Sequence, residues 1–310
     1  MKRSFLIVLA GASLVAVVLA SAPLAPRSAA QDEPAPPAAK GEKPPSADAA
    51  PEATNDEKLQ LRAAKEHVAR LTLRSLDEAG GAVDPIDRPL LAYGEPARAN
   101  SHGTLWAFGQ SGRPVAFLEL WKGAADLPFW FQSTIRTGDR HVLMESPNGR
   151  QWRPPQGAIA RTAVDDAPRP AKERPARLRQ IKSLARRFTA HEIWDPDNSR
   201  FELRLLVQPV HRYDDAPHGI QDGAVFIFAY GTNPEIILLM EALGTSVEES
   251  RWRYSAFPTG AAELHVEFDG REVWVRPRAP GVTGQPTDDY WMNSMPVETP
   301  PGDDSPGDGE

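Results

Sequence analysis

The chain has 310 residues, no cysteine, 41% hydrophobic residues and a formal net charge of −7. The absence of cysteine excludes a disulfide framework and a cysteine nucleophile, so stability depends on ordinary burial of apolar side chains. The acidic balance lacks the basic footprint that nucleic-acid binding requires, and we expect no nucleic-acid partner.

The first 30 residues have the pattern of an export signal. Lys2 and Arg3 precede an apolar run from Phe5 to Ala20, and Ser28–Ala30 forms a small-residue cleavage site. The apolar run is short for a membrane span, which needs about 20 residues. We therefore expect an exported protein, periplasmic or extracellular, that contacts the membrane only if the signal is kept as an anchor.

Residues 31–55 are rich in proline and alanine and contain no aromatic side chain. Such a segment cannot bury enough apolar surface to fold, which predicts a disordered tether. An amphipathic helix is predicted next, because apolar side chains recur there at spacings of three and four. These are Leu61, Ala64, Val68 and Leu71. Asn55 or Asp56 is placed to cap this helix, and Gly80-Gly81 to end it.

The most apolar stretch, Asp222 to Leu243, has a near-twin in Gly103 to Trp121. An offset of 120 aligns the two without a gap. Each reads as a β-hairpin, with two apolar runs of strand length around a turn. A second helix, predicted from Leu178 to Phe188, matches the first helix at an offset of 117. The sequence therefore predicts an internal repeat.

The other strand candidates also occur in pairs. They are Leu90 to Pro96 with Phe201 to Pro209, Pro128 to Ile135 with Trp252 to Phe257, and two closing hairpins that turn at Asn148-Gly149 and Asp269-Gly270. The predicted fold class is α+β, with two tandem copies of an amphipathic helix followed by an antiparallel meander of about five strands. Apolar residues on both faces of the central hairpins predict that the copies pack as a pseudo-dimer.

The predicted domain boundaries follow from this repeat. Residues 56–154 form repeat 1, residues 155–175 form a proline-rich linker, and residues 176–287 form repeat 2. Residues 288–310 form an acidic tail that is expected to be mostly disordered. Within that tail, the aromatic segment from Tyr290 to Met295 could either pack on the body or remain exposed.

The densest polar constellation lies in one loop of the second copy. Two histidines bracket two aspartates there, and imidazole and carboxylate are suitable ligands for a transition metal. The candidate ligands are His211, Asp214, Asp215 and His218. Their spacing matches no known motif, and Asp-Asp-x-Pro is common in turns. We therefore predict no metal and no cofactor, and keep a metal-dependent hydrolase built on this loop as an alternative.

The sequence contains no Gly-x-Ser-x-Gly nucleophile motif and no phosphate-binding glycine loop. Eight tryptophans leave carbohydrate binding open as a second alternative. Those inside apolar strand patterns are predicted to be core, namely Trp106, Trp152, Trp252 and Trp274. Trp121, Trp130 and Trp291 are the candidates for an exposed platform.

Five segments of the second copy form a recognisable set of motifs: the helix Leu178 to Phe188, the strand Leu205 to Pro209, the loop Tyr213 to Gly219, the run Asp222 to Phe228 and the turn Gly231 to Glu235. In these segments the chain resembles a family of exported bacterial proteins that have no assigned activity. The resemblance implies export and a shared fold, and it brings no catalytic residue. We predict a non-enzymatic binding or scaffold module whose partner is a protein, a glycan or a small ligand.

Overall fold

The computed structural model describes residues 54–77, 80–95, 100–122, 129–194 and 198–296. These residues belong to one compact unit, Glu52–Glu310. The predicted export signal, nearly all of the tether and the end of the acidic tail lie outside the described residues.

Two α-helices occur in this part of the chain. Helix α1, Asn55–Ala69, is capped by Thr54, whose side chain accepts a hydrogen bond from the Glu57 amide at 3.2 Å while the Glu57 carboxylate accepts one from the Thr54 amide at 2.7 Å. Helix α2 spans Arg174–Ala185. Neither helix has the length and the apolar run that a membrane crossing requires.

Both helices end earlier than predicted, because a strand begins almost immediately after each. The described residues of the first half of the chain contain seven strands. They are β1 Thr72–Ser75, β2 Leu91–Glu95, β3 Asn100–Phe108, β4 Ala116–Lys122, β5 Phe129–Arg136, β6 Val142–Glu145 and β7 Gln151–Trp152.

Ten strands follow in the part of the second half that the structure describes. They are β8 Thr162–Ala163, β9 Phe188–Trp194, β10 Ser199–Leu205, β11 His211–Asp215, β12 Ile220–Tyr230, β13 Asn233–Leu243, β14 Arg251–Pro258, β15 Glu263–Phe268, β16 Arg271–Arg276 and β17 Tyr290–Pro296. Every pairing between these strands is antiparallel. They form a three-stranded sheet (β1-β6-β7), a five-stranded sheet (β17-β5-β4-β3-β2) and a nine-stranded sheet (β16-β15-β9-β10-β12-β13-β14-β8, with β11 also on β12).

The predicted α+β fold of two tandem helix-plus-meander copies, packed as a pseudo-dimer, is wrong. The described residues are mostly strand, and the first half is divided between two sheets whereas most of the second half lies in one. The order is also not a meander, since β1 pairs with β6, β9 pairs with β15, and β17 joins β5 of the other half. Backbone pairing between strands far apart in sequence leaves no local signal, which is why these contacts were missed.

The central hairpins β3–β4 and β12–β13 are buried on both faces, because successive strand side chains point to opposite sides. One face of each hairpin contributes to a single shared core, which includes Leu105 and Phe117 from the first with Ile227 and Leu239 from the second. The opposite faces pack in separate cores with α1 and with α2. Burial of each such large side chain stabilises the fold by about 1.5 to 3 kcal/mol.

Candidate functional site

A cleft of about 840 Å³ opens where the tip of one central hairpin meets the base of the other. Its walls are the β3–β4 turn from Gly109 to Arg113, the β5–β6 loop from Gly138 to Arg140, the β11–β12 connection from Asp215 to Ile220 and the end of β13 from Leu243 to Thr245. We call this space the hairpin cleft. Its volume lies within the range typical of small-molecule sites.

A buried cluster of Arg113, Glu241 and Tyr213 lies at the hairpin cleft. The Arg113 side chain is 6% exposed and that of Glu241 is 2% exposed. Arg113 donates through Nε to Glu241 Oε1 at 2.7 Å and through Nη2 to Oε2, and the Tyr213 hydroxyl donates to Oε1 at 2.7 Å. Burial lowers the pKa of Arg113 and raises that of Tyr213. Arginine starts so far above neutral pH that it stays charged, and tyrosine stays a neutral donor.

One atom of this cluster has no partner among the residues that the structure describes. Arg113 Nη1 is buried and donates no hydrogen bond to any of them, although Arg113 itself lines the hairpin cleft. A buried donor that is left unpaired costs about 1 to 3 kcal/mol. An acceptor oxygen placed within hydrogen-bond distance of Arg113 Nη1 would remove this cost.

Close backbone approach allows Tyr213 to reach Glu241. Gly223 is paired with Tyr213 across β11 and β12, and a Cβ at position 223 would overlap the tyrosine ring. The same arrangement occurs with Tyr93 over Gly103, where the Tyr93 hydroxyl donates to Glu119. Desolvation by burial raises the pKa of Glu119 well above its usual value. Burial thus favours the protonated form of Glu119, whereas the carboxylate of Glu241 is paired with Arg113.

Two of the four predicted metal ligands lie at the cleft. His218 Nδ1 and Asp215 Oδ1 are 2.7 Å apart, and the β3–β4 turn passes over this pair. Gly112 allows that passage, because its φ is +73° and a Cβ there would lie 2.6 Å from Asp215 Oδ2. On the facing wall, Asp139 is paired with Arg161 and accepts a hydrogen bond from the Ile159 amide at 2.6 Å. Burial alone would raise the pKa of Asp139, but these hydrogen bonds lower it.

The other two predicted ligands lie elsewhere. Asp214 points to Arg174, with 3.4 Å between oxygen and nitrogen. His211 is half-buried, its ring centre is 5.9 Å from that of Tyr213, and burial lowers its pKa. No three histidine, aspartate or glutamate side chains converge as metal ligands anywhere in the described ranges. The structure therefore joins His218 with Asp215 but does not assemble the four residues into one ligand set.

Protein-family models, curated proteins and solved structures give no match to this chain. The resemblance to a family of exported bacterial proteins therefore stays a prediction that rests on its motif residues. Four residues of the Tyr213 to Gly219 motif lie at the candidate site: Tyr213 in the buried cluster, and Asp215, His218 and Gly219 in the cleft wall.

The tryptophans offer little exposed surface. Trp130 and Trp291 are 5% and 9% exposed, so both are core residues rather than parts of a platform. Trp121 is half-buried and stacks on Phe131, with ring centres 5.7 Å apart. Trp106, Trp152 and Trp252 are buried as predicted. Trp274 is instead half-buried and lines a second cavity of about 580 Å³.

Sequence reasoning missed the charged residues that form the buried clusters. Arg113, Glu119 and Glu241 all fall inside the two hairpins that the apolar runs predict, and none of them was singled out from the sequence. A usable signal was present, since an acidic residue inside an otherwise apolar strand must be paired or protonated. Asp222 shows the same effect: it is 1% exposed and accepts hydrogen bonds from Arg177 and Arg212.

Proposed function

We propose that this protein is an exported, non-enzymatic binding module that holds a small ligand in the hairpin cleft. The observation that carries the proposal is the combination of a cleft of ligand size with a buried arginine whose Nη1 has no partner. Concave sites with a few fixed polar groups are the usual form of small-molecule binding sites.

The charged side chains around the cleft support binding rather than catalysis. Arg113 is fixed by Glu241, Arg161 by Asp139, and His218 by Asp215. Ser111 also lines the cleft, but it forms no hydrogen bond with His218 within the described residues. Paired groups of this kind give a surface that is organised before the ligand arrives, which reduces the cost of binding.

The test is a thermal-shift screen of the full protein against a small-molecule library, followed by titration of the hits. Ser111→Trp places a large side chain in the cleft from an exposed turn, and Gln156→Trp is the matched control at an exposed position outside it. We expect hits whose affinity falls at least tenfold in Ser111→Trp and is unchanged in Gln156→Trp. Hits that bind both variants equally would show that the ligand site lies elsewhere.

The rival hydrolase is tested on the same material. Elemental analysis of protein prepared without chelator, before and after the double change His211→Ala and His218→Ala, decides it. We expect no stoichiometric metal in either sample. Zinc that is present at one per chain and lost in the double variant would favour the metal enzyme over the binding module.

A further inference from the structure

We infer that the ligand of the hairpin cleft carries a carboxylate, and that Arg113 holds this carboxylate through the edge of its guanidinium that Glu241 leaves free. The inference rests on the proposed function and adds the chemical class of the ligand. Its basis is a comparison between Arg113 and the other buried arginines of the described chain.

Three arginines in the described ranges are less than a tenth exposed: Arg113, Arg136 and Arg177. Each is paired with a carboxylate. Arg136 Nη1 also donates to the carbonyls of Gly138 and Gly157 at 3.2 and 2.7 Å. Arg177 Nη1 likewise donates to the carbonyls of residues 171 and 172 at 3.1 and 2.6 Å.

Arg113 differs from both, because its Nη1 has no acceptor. In the two structural arginines, the fold itself supplies a pair of carbonyl oxygens for this nitrogen. At Arg113 the fold leaves the nitrogen unpaired beside a cleft instead. An external oxygen is the group that would complete the pattern.

The geometry of the guanidinium narrows the class of that external group. Glu241 occupies the edge formed by Nε and Nη2. The remaining edge, formed by Nη1 and the second hydrogen of Nη2, presents two parallel N–H donors away from Glu241. Two parallel donors match the two oxygens of a carboxylate or phosphate. Arginine can bind such a group through two hydrogen bonds at once, whereas lysine lacks this paired geometry.

The charge balance of the cleft favours a carboxylate over phosphate. Its wall contains three arginines and three aspartates, and Glu241 already offsets Arg113. Only one of those arginines, Arg140, and one of the aspartates, Asp84, make no ion pair with another described residue. One uncommitted cation suits a single negative charge better than two, and Asp84 favours a ligand whose other end is neutral or cationic.

The test is an NMR titration of the full protein at constant ionic strength with acetate, its neutral isostere acetamide, and inorganic phosphate. Backbone amides of the cleft, including Gly109, Gly138 and Gly244, report binding. We expect saturable shifts with acetate at an affinity at least tenfold above that for acetamide or phosphate. The Nη1 and Nη2 edge has no counterpart in lysine, so Arg113→Lys is expected to weaken acetate binding at least tenfold.

Two further variants keep the test decisive. The double change Arg113→Gln with Glu241→Gln removes the guanidinium of Arg113 without leaving an unbalanced buried charge. This double variant is also expected to lose acetate binding. Arg276→Lys, in which Arg276 lines the second cavity and already donates to two carbonyls, is expected to bind acetate unchanged. Equal binding of acetate and acetamide, tighter phosphate binding, or unchanged affinity in Arg113→Lys would each overturn the inference.

The failure of this inference can be told apart from failure of the proposed function. Library ligands that lack a carboxylate but are lost in Ser111→Trp would overturn the carboxylate assignment and leave the binding function standing. Ligands whose affinity is unchanged in Arg113→Lys and in Ser111→Trp would overturn both the carboxylate assignment and the proposed binding function.

Discussion

Glu119 and Glu241 each accept a hydrogen bond from a tyrosine in a buried position, but only Glu241 has an arginine beside it. Burial therefore favours the neutral form of Glu119, whereas the carboxylate of Glu241 forms an ion pair with a guanidinium. The two residues should consequently respond in opposite ways to the same substitution, glutamate to glutamine.

Glu119→Gln is expected to remove a pH dependence of stability. The pKa of Glu119 is raised in the folded state, because burial penalises its charged form. Its contribution is therefore full below pH 4.5 and is lost as pH rises from there towards the folded pKa, by up to about 1.4 kcal/mol per pH unit. Glutamine cannot ionise, so the variant should gain stability over the wild type as pH increases.

Urea denaturation at pH 5 and pH 8 measures this effect. The control is Glu173→Gln, at an exposed position before α2, which should follow the wild type at both values. A free energy of unfolding for Glu119→Gln that runs parallel to the wild type across this range would contradict the assignment of a buried neutral acid.

Glu241→Gln is expected to destabilise the protein at every pH. It leaves the Arg113 charge buried without compensation, and breaking a buried ion pair in this way costs about 3 to 5 kcal/mol. Restoring the balance with Arg113→Gln in the same chain should recover a large part of the loss. Denaturation midpoints of the single and double variants provide the measurement, and a single variant as stable as the double one would refute the pairing argument.

For individual residues, the sequence showed which local side chains are polar candidates, but it did not show which distant side chains they contact. His218 and Asp215 were singled out as candidate metal ligands, and the structure shows them hydrogen-bonded to each other. Arg113 was missed because its importance arises from Glu241, which is 128 positions away in the chain. No local pattern reports a partner at such a distance.

Most individual strands were predictable because a strand-length run of apolar residues is a local property, and the central hairpins lie where the apolar runs placed them. Strand β1 was missed because Leu71 continues the helical spacing of Val68, so the helix pattern ran past its true end at Ala69. Strand β17 could not be assigned because its only partner in a sheet is β5. Most strands were thus visible in the sequence, but the strands that they pair with were not.

Strand β17 is expected to be essential for folding. A chain that stops after Asp289 loses Tyr290, Trp291 and Met295 from two cores and leaves β5 as an unprotected edge. Three large buried side chains represent several kcal/mol, against a typical total stability of about 5 to 15 kcal/mol.

A chain that stops after Pro296 is the matched control, since it retains the whole strand. We expect it to keep the wild-type urea midpoint by circular dichroism, whereas the shorter chain should be insoluble or have a much lower midpoint. Equal midpoints for the two truncations would show that β17 is dispensable.

The described chain shares one core between its two largest sheets, so it should unfold as a single unit. Residues of both central hairpins belong to that core, and β17 brings the end of the chain into the sheet of the first half. Fluorescence and circular dichroism should therefore report the same urea transition for the full protein. Separate transitions would contradict a shared core.

Expression of the halves separately tests the same feature. Residues 55–161 lack β17, and residues 172–296 lack the hairpin that covers β12 and β13, so each half exposes an apolar sheet face or edge. We expect both to be insoluble or self-associated, because apolar surface of that extent drives aggregation. A half that is a soluble monomer with its own sharp melting transition would refute this.

The placement of β17 also fixes the order in which the molecule can form during synthesis. The Thr134 hydroxyl donates a hydrogen bond to the Trp291 carbonyl, 157 positions later. At roughly 5 to 20 residues per second, translation needs about 8 to 30 s to cover that interval. Throughout that time the five-stranded sheet lacks its last strand, so a nascent chain stays incompletely folded until β17 has left the ribosome. A chain in which β17 pairs with β5 late in synthesis stays unfolded for longer, and so remains accessible to an export machinery that handles unfolded substrates. This timing fits the proposed export.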